Sequence, residues 1–156
     1  MGAGKSTVGR YLAKKLGRKF IDLDEEIERR EGRPIAEIFQ QDGESHFQNL
    51  ERICLKDLSS SSKAVIALGG GTFVNPENRE VAEKTGLTVW LKVSFNKLVD
   101  RVKIDGTRPK FVDRAEAEHL YRSREPSYEL ARVQISADDA TPESAAGEII
   151  GVLKKS

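Results

Sequence analysis

The sequence predicts an α/β fold in which a parallel sheet is wrapped by helices on both faces. Three observations carry that expectation. Short β-rich runs alternate with amphipathic helical stretches from one end of the chain to the other. A glycine-containing turn, Met1-Gly2-Ala3-Gly4-Lys5-Ser6-Thr7, runs directly into the first of those helices. Residues able to do chemistry recur just after the β-rich runs, where an open α/β sheet holds its ligands.

The elements follow in order. Val8, Tyr11, Leu12 and Leu16 recur at helical spacing, and Gly17 stands where a C-cap glycine belongs. Residues 19–24 are a short apolar run ending in carboxylates, the pattern of a buried strand that delivers acids at its C-terminal end. Residues 25–31 are charge-rich with Ile27 alone facing inward, and Gly32 ends this helix. Pro34 opens a short helix carrying Ile35, Ile38 and Phe39, which Asp42-Gly43 breaks. Phe47, Leu50, Cys54 and Leu58 mark an amphipathic helix over 44–58, with Cys54 as a core-facing thiol, and residues 59–62 form a polar connector.

Residues 64–68 are the clearest buried strand, followed at once by Gly69-Gly70-Gly71-Thr72. Asn75-Pro76 is an N-cap and first-turn pair for the next helix. Residues 87–93 alternate as a strand with Trp90 in the core. Ser94 caps a helix with Leu98, Val99 and Val102; residues 105–113 are a basic loop; Asp113 with Glu116 forms a capping box for the helix of Leu120 and Tyr121. Residues 132–137 are a last strand, and Thr141-Pro142 starts the closing helix.

Length and composition limit what this fold serves. A chain of 156 residues, 38% hydrophobic and 33% charged, is one globular domain with a core that needs no staples. Lys and Arg number 26 against 25 Asp and Glu, so bulk charge points to neither nucleic acid nor an anionic membrane. Cys54 is the only cysteine, which excludes an internal disulfide and fits a reducing compartment. No apolar run reaches membrane-spanning length, and the expected location is the cytoplasm.

The first turn carries the most specific chemistry. Gly4-Lys5-Ser6 supplies the last three positions of the phosphate-binding pattern G-x-x-x-x-G-K-[ST], although its first glycine would precede Met1. Gly2 and Gly4 let backbone N–H groups curl around a phosphate, and the helix adds the positive end of its dipole. Lys5 then reaches the β- and γ-phosphates, while the Ser6 hydroxyl holds Mg²⁺. A flexible N-terminus before an ordinary helix is the alternative. Asp22 and Asp24, two apart on an extended segment, leave on opposite faces, one towards Mg²⁺ and the other towards an acceptor hydroxyl. Asp24 also suits a helix N-cap ahead of Glu25-Glu26. Gly69, Gly70 and Gly71 either admit a ligand against the backbone or make a tight turn. Arg101, Arg108 and Lys110 are candidates to clamp phosphoryl oxygens. His46 and His119 lack metal-ligand spacing and read as surface or half-buried structural residues.

Gly4-Lys5-Ser6-Thr7, Asp22-Leu23-Asp24, Asp42-Gly43-Glu44 with Phe47 and Glu51, Leu68-Gly69-Gly70-Gly71-Thr72, Arg108-Pro109 and Arg124-x-Pro-x-Tyr128 follow one another in an order that resembles shikimate kinase over essentially the whole chain. The resemblance implies a three-layer α/β/α P-loop kinase fold of the nucleoside-monophosphate-kinase type. It implies a five-stranded parallel sheet of order 2-3-1-4-5, a single domain over residues 1–156 and a lid at about residues 105–115. It also implies transfer of the ATP γ-phosphoryl group to the 3-hydroxyl of shikimate, in chorismate and aromatic amino-acid biosynthesis, by a cytoplasmic monomer with no nucleic-acid or membrane partner.

By resemblance, the nucleotide site comprises Gly2, Ala3, Gly4, Lys5, Ser6 and Thr7. Arg101 packs on adenine and Arg108 lies over the phosphates. Ser6 and Asp22 belong to Mg²⁺, Asp22 through water. Asp24 binds the shikimate hydroxyls and is the base or orienting group for the 3-OH. Shikimate lies against Gly69, Gly70 and Gly71, with Arg124 on its carboxylate. The catalytic set is therefore Lys5, Asp24 and Arg108.

Two departures from the family pattern stand out. The position of the second carboxylate arginine is Gln48, whose amide donates a hydrogen bond but brings no charge. That loss corresponds to shikimate binding about ten to a hundred times weaker, unless Lys110 or Arg52 substitutes. It also keeps open a kinase of another hydroxy acid, such as gluconate, or a non-catalytic nucleotide-binding relative. The second departure is that no strand precedes the first turn, although the family fold places its central strand there. The expectation is therefore a reading frame that extends upstream of Met1 with an apolar strand ending in glycine.

Overall fold

The computed structural model describes residues 4–61, 63–105 and 114–155. The expected lid and the Asp113 capping position fall on residues 106–113 and lie outside the described residues. The elements run α1 (Lys5–Leu16), β1 (Lys19–Asp22), α2 (Leu23–Glu31), α3 (Ile35–Asp42), α4 (Glu44–Ser61), β2 (Ala64–Ala67), α5 (Pro76–Thr85), β3 (Val89–Lys92), α6 (Phe95–Asp105), α7 (Arg114–Tyr128), β4 (Val133–Ser136) and α8 (Pro142–Lys155).

Local chemistry accounts for most of the boundaries. Gly17 adopts φ 65° and its N–H reaches the Lys14 carbonyl, closing α1 as a left-handed glycine cap does. Asn75 accepts from the Glu77 N–H at 2.9 Å and Pro76 fills the first turn of α5. Thr141 and Ser144 cap α8 reciprocally, each backbone N–H donating to the other's hydroxyl at 3.0 Å.

Two boundaries differ from the sequence reading. The first strand stops at Asp22 rather than Asp24, and Asp22, not Asp24, is the N-cap of α2, accepting from the Glu25 N–H at 3.2 Å. With the cap one position before Leu23, that side chain becomes fully buried and Asp24 moves into the first helical turn. The expected polar connector at 59–62 is mostly helix, because α4 continues through Ser61. The Ser60 hydroxyl back-bonds to the Asp57 carbonyl at 3.0 Å, which lets the serine stay in the helix.

The four strands form two parallel pairs, β1 with β2 in the register Lys19–Ala64 to Asp22–Ala67, and β3 with β4 in the register Val89–Val133 to Lys92–Ser136. Among the described residues β2 and β3 do not pair with one another. An apolar cavity of about 850 Å³, lined by Val65, Ile66, Val89, Leu91, Leu12 and Ile149 among others, adjoins the inner edges of both pairs. One core cluster joins Ile21 and Leu23 to Ile27, Ile38, Phe47, Cys54, Leu55 and Leu58, so Cys54 is the core thiol its helical spacing indicates. A second joins Val8 and Leu12 of α1 to Ile135 and to Ala145, Ala146 and Ile149 of α8. Trp90, expected in the core, is half-buried and meets the Tyr128 ring at 5.7 Å between centroids.

Gly9 marks where α1 closes on β1. A Cβ there would lie 2.5 Å from Phe20 Cε1, and the Arg10 guanidinium also packs on that ring, 4.8 Å from its centroid. Gly9→Ala should therefore lose stability, by about 1–2 kcal/mol in chemical denaturation, although alanine is the better helix former. A gain of about 0.5–1 kcal/mol would show instead that the ring moves aside.

Candidate active site

The chemistry-bearing residues meet where β1 and β2 end, beside the start of α1. Gly4 enters that helix at φ 80°, a conformation glycine adopts without the steric penalty of a side chain, and its carbonyl accepts the first helical bond from Val8. The first-turn N–H groups of α1 are thus presented at its amino end, together with the positive end of the helix dipole. Lys5 folds over the end of β2, and its Nζ donates to the Leu68 carbonyl. Ser6 donates from Oγ to Asp22 Oδ2 at 3.3 Å, so the hydroxyl and the carboxylate already face one another. Thr7 is exposed on the same turn.

The glycine run after β2 is held by what lies against it. A Cβ on Gly69 would come within 2.9 and 3.1 Å of the Asp24 carboxylate oxygens, and one on Gly70 within 2.5 Å of Arg124 Nη1. Gly71 has Arg124 Nη2 at 3.6 Å from the same notional position. Asp24 and Arg124, one hundred residues apart in sequence, therefore rest on two successive glycines. The run closes on itself through the Thr72 N–H to the Gly69 carbonyl at 3.1 Å. Beneath it the Thr72 hydroxyl donates to Glu51 Oε2, and Asn78 Nδ2 donates to the Thr72 carbonyl at 3.1 Å. Thr72, Glu51 and Asn78 are all buried.

Burial pushes the Glu51 carboxyl up from the ordinary glutamate value of 4.5; the Thr72 hydrogen bond opposes the rise, the negative field of Asp24 adds to it and Arg124 opposes it. Burial likewise pushes the Tyr128 phenol up, against the nearby Arg124 cation. Tyr128 sits one turn beyond Arg124 on α7 and donates its hydroxyl to the Gly70 carbonyl.

Not every predicted residue is seen in contact with this platform. Gln48 is exposed and donates its amide to Glu44 Oε1 at 3.4 Å, a partner on its own helix. Arg52, one turn on, bonds to Asn49 and approaches Glu77 at 3.9 Å. Gly2, Ala3, Arg108 and Lys110 lie outside the described residues, as does the side chain of Arg101 on α6. His46 and His119 are exposed, and no cluster of three or more metal-ligating side chains occurs among the described residues.

Glu51, Thr72 and Tyr128 are the site neighbours to which the sequence reading gave no role. Glu51 had a signal: it lies on the Phe47, Cys54, Leu55 and Leu58 face of α4, and a carboxylate on an apolar face implies a buried partner.

A glycine-entered helix start carrying lysine and serine, a strand-end carboxylate facing that serine, and a glycine platform between a carboxylate and an arginine define an ATP-dependent small-molecule kinase of the P-loop class. The family model described as shikimate kinase matches residues 1–154, and the chain belongs to the shikimate kinase family. It is 42% identical over 156 residues to the shikimate kinase of Sulfurihydrogenibium sp. (strain YO3AOP1), covering 99% of this chain and 94% of that protein. It is 37% identical over 155 residues to that of Persephonella marina, with the same coverage. Among solved structures, shikimate kinase from Acinetobacter baumannii in complex with shikimate superposes with a TM-score of 0.90 at 35% identity, over 99% of this chain and 89% of that one. The Aquifex aeolicus shikimate kinase gives 0.85 at 35% identity, over 99% and 92%.

The Glu51 environment has a measurable consequence. Because its folded-state pKa is raised, the native state holds a proton that the unfolded state releases above about 4.5. Stability should fall as pH rises from that value through the raised one, and the cost should then persist. Glu51→Gln removes the titration, so the melting temperature of the variant relative to wild type should climb across that window. A pH-independent difference would mean that the carboxyl is not raised.

Proposed function

We propose that this chain phosphorylates shikimate at its 3-hydroxyl with ATP, releasing ADP and 3-phosphoshikimate. The observation that carries the reading is the convergence of Asp24 and Arg124 on Gly69 and Gly70, next to the helix start bearing Lys5 and Ser6. A hydroxylated carboxylic acid laid on the glycines would meet a carboxylate at one end and a guanidinium at the other. Membership of the family and the shikimate complex of the Acinetobacter relative support the same acceptor. They lend nothing to gluconate.

The phosphate chain of ATP would lie on the α1 amino end, with Gly2, Ala3, Gly4, Ser6 and Thr7 around it and Arg101 towards the base. Lys5 leaves the Leu68 carbonyl to reach the transferring phosphoryl oxygens, joined by Arg108. The facing Ser6 hydroxyl and Asp22 carboxylate fit Mg²⁺, a hard cation that keeps several waters and takes few protein ligands. When bound, the ion neutralises charge on the phosphates. Asp24 aligns the 3-hydroxyl and takes its proton as the oxygen bonds to phosphorus, while Arg124 fixes the acid by a charge-assisted pair. The work is positioning and charge neutralisation rather than covalent catalysis.

The protein is further read as a cytoplasmic monomer. Its lone buried cysteine supports the reducing compartment, and among the described residues no helix is long and apolar enough to cross a membrane. A central strand upstream of Met1 belongs to the same reading. The two parallel pairs and the apolar cavity at their inner edges support it, because a strand between β2 and β3 would satisfy backbone groups on both.

A coupled ADP-release assay on this chain, and on the frame extended upstream, tests these readings together. Shikimate-dependent turnover that disappears in Lys5→Met is the expected result; a folded chain whose ADP release ignores shikimate would overturn the acceptor assignment. Activity in the extended form alone is the outcome expected if the strand is required. Gln48→Arg should lower the KM for shikimate by roughly ten- to a hundred-fold, with the KM for ATP unchanged.

A further inference from the structure

Three consecutive glycines form the most permissive backbone in the chain, and a site built on them needs something that selects one conformation. Thr72 supplies one restraint from below through its N–H to the Gly69 carbonyl at 3.1 Å. That bond leaves the peptide between Gly70 and Gly71 to be set from another direction. Its carbonyl oxygen, on Gly70, accepts the hydroxyl of Tyr128. No cis peptide occurs among the described residues, so the Gly70 carbonyl and the Gly71 N–H point in opposite directions. A hydroxyl that fixes the carbonyl towards α7 therefore fixes the Gly71 N–H away from it.

The same residue also engages the cation of the site. Tyr128 follows Arg124 by four positions, so the two side chains leave one face of α7. The Arg124 guanidinium and the Tyr128 hydroxyl meet over the same glycine: Arg124 Nη1 lies 2.5 Å and Tyr128 Oη 3.6 Å from the Gly70 Cβ position. The Trp90 ring, 5.7 Å from that of Tyr128, fixes the phenol from the strand side. Hydroxyl, guanidinium and glycine peptide form one closed set of contacts, in which the hydroxyl holds the Gly70 carbonyl beside the guanidinium.

We infer that Tyr128 is a positioning residue for the acceptor acid: its hydroxyl sets the orientation of the Gly70–Gly71 peptide and the lie of the Arg124 guanidinium, and so governs binding of the hydroxy acid but not of the nucleotide. The inference rests on the proposed function, since it assigns the acceptor to that platform. Tyr128→Phe deletes the hydroxyl and keeps the ring packing on Trp90.

The test is steady-state kinetics on the chain that turns over shikimate, with shikimate and ATP varied separately. Tyr128→Phe should raise the KM for shikimate about five- to fifteen-fold, with the KM for ATP and kcat each within about twofold of wild type. In a cycle with Arg124→Lys, the double variant should raise that KM by less than the product of the two single effects, because both substitutions loosen one set of contacts. A shikimate KM unchanged in Tyr128→Phe, an equal rise for both substrates, or strictly multiplicative effects in the cycle would each overturn the inference and leave the acceptor assignment standing. Absence of shikimate-dependent turnover in the wild type would overturn that assignment and this inference with it.

Discussion

The structure of the site depends on the absence of side chains at two successive positions, Gly69 and Gly70. Asp24 arrives from the first turn of α2 and Arg124 from α7, and both approach a backbone that a single methyl group at Gly69 or Gly70 would push away. Close approach of two opposite charges to bare peptide gives the platform its polarity: acceptor oxygens at one end, guanidinium donors at the other. The glycines could not hold that shape alone. Thr72 restrains the run from the buried side and Tyr128 from the α7 side, so this conformationally permissive stretch is tied to residues that are buried or half-buried.

That platform sits beside the helix start because of the parallel pairing of β1 with β2. The register brings Asp22 opposite Ala67, so that both strands end at the same height and hand their next residues to one region. Asp22 then serves two purposes, capping α2 and facing Ser6. A capping carboxylate has its orientation fixed by a backbone N–H, here that of Glu25, which suits the cation-holding role proposed for it. Lys5, with its long stem, bridges from α1 to the Leu68 carbonyl and so links the start of that helix to the segment between β2 and the glycines.

The buried Glu51 is the unusual part of this arrangement. A carboxyl under the glycine run, bonded to Thr72 and within the fields of Asp24 and Arg124, couples the acid end and the base end of the platform. Gln48, one turn earlier on α4, is exposed and bonded within its own helix, so α4 contributes a buried carboxyl to this region and carries a neutral amide at its exposed side. Under the proposed function, the carboxylate of the acceptor is then met by Arg124 and by what keeps that guanidinium in place.

The sequence alone determined the fold class, the family and the helix carrying Lys5 and Ser6, because these depend on local rules: glycine conformations, apolar periodicity, caps and the fixed spacing of a phosphate loop. The helix boundary at Leu23 escaped it, since Asp22 and Asp24 are equally good caps as residue types and only burial of Leu23 chooses between them. The helical serines of α4 escaped it for a similar reason, a back-bond to Asp57 replacing the turn their composition suggests. The tertiary structure alone decided that Asp24 and Arg124 lie on neighbouring glycines, that Glu51 is buried beneath them and that the Tyr128 hydroxyl meets the Gly70 carbonyl. Those contacts join residues 21 to 58 positions apart, and no local propensity encodes them; they exist because strand pairing and helix packing bring separate segments to one end of the fold.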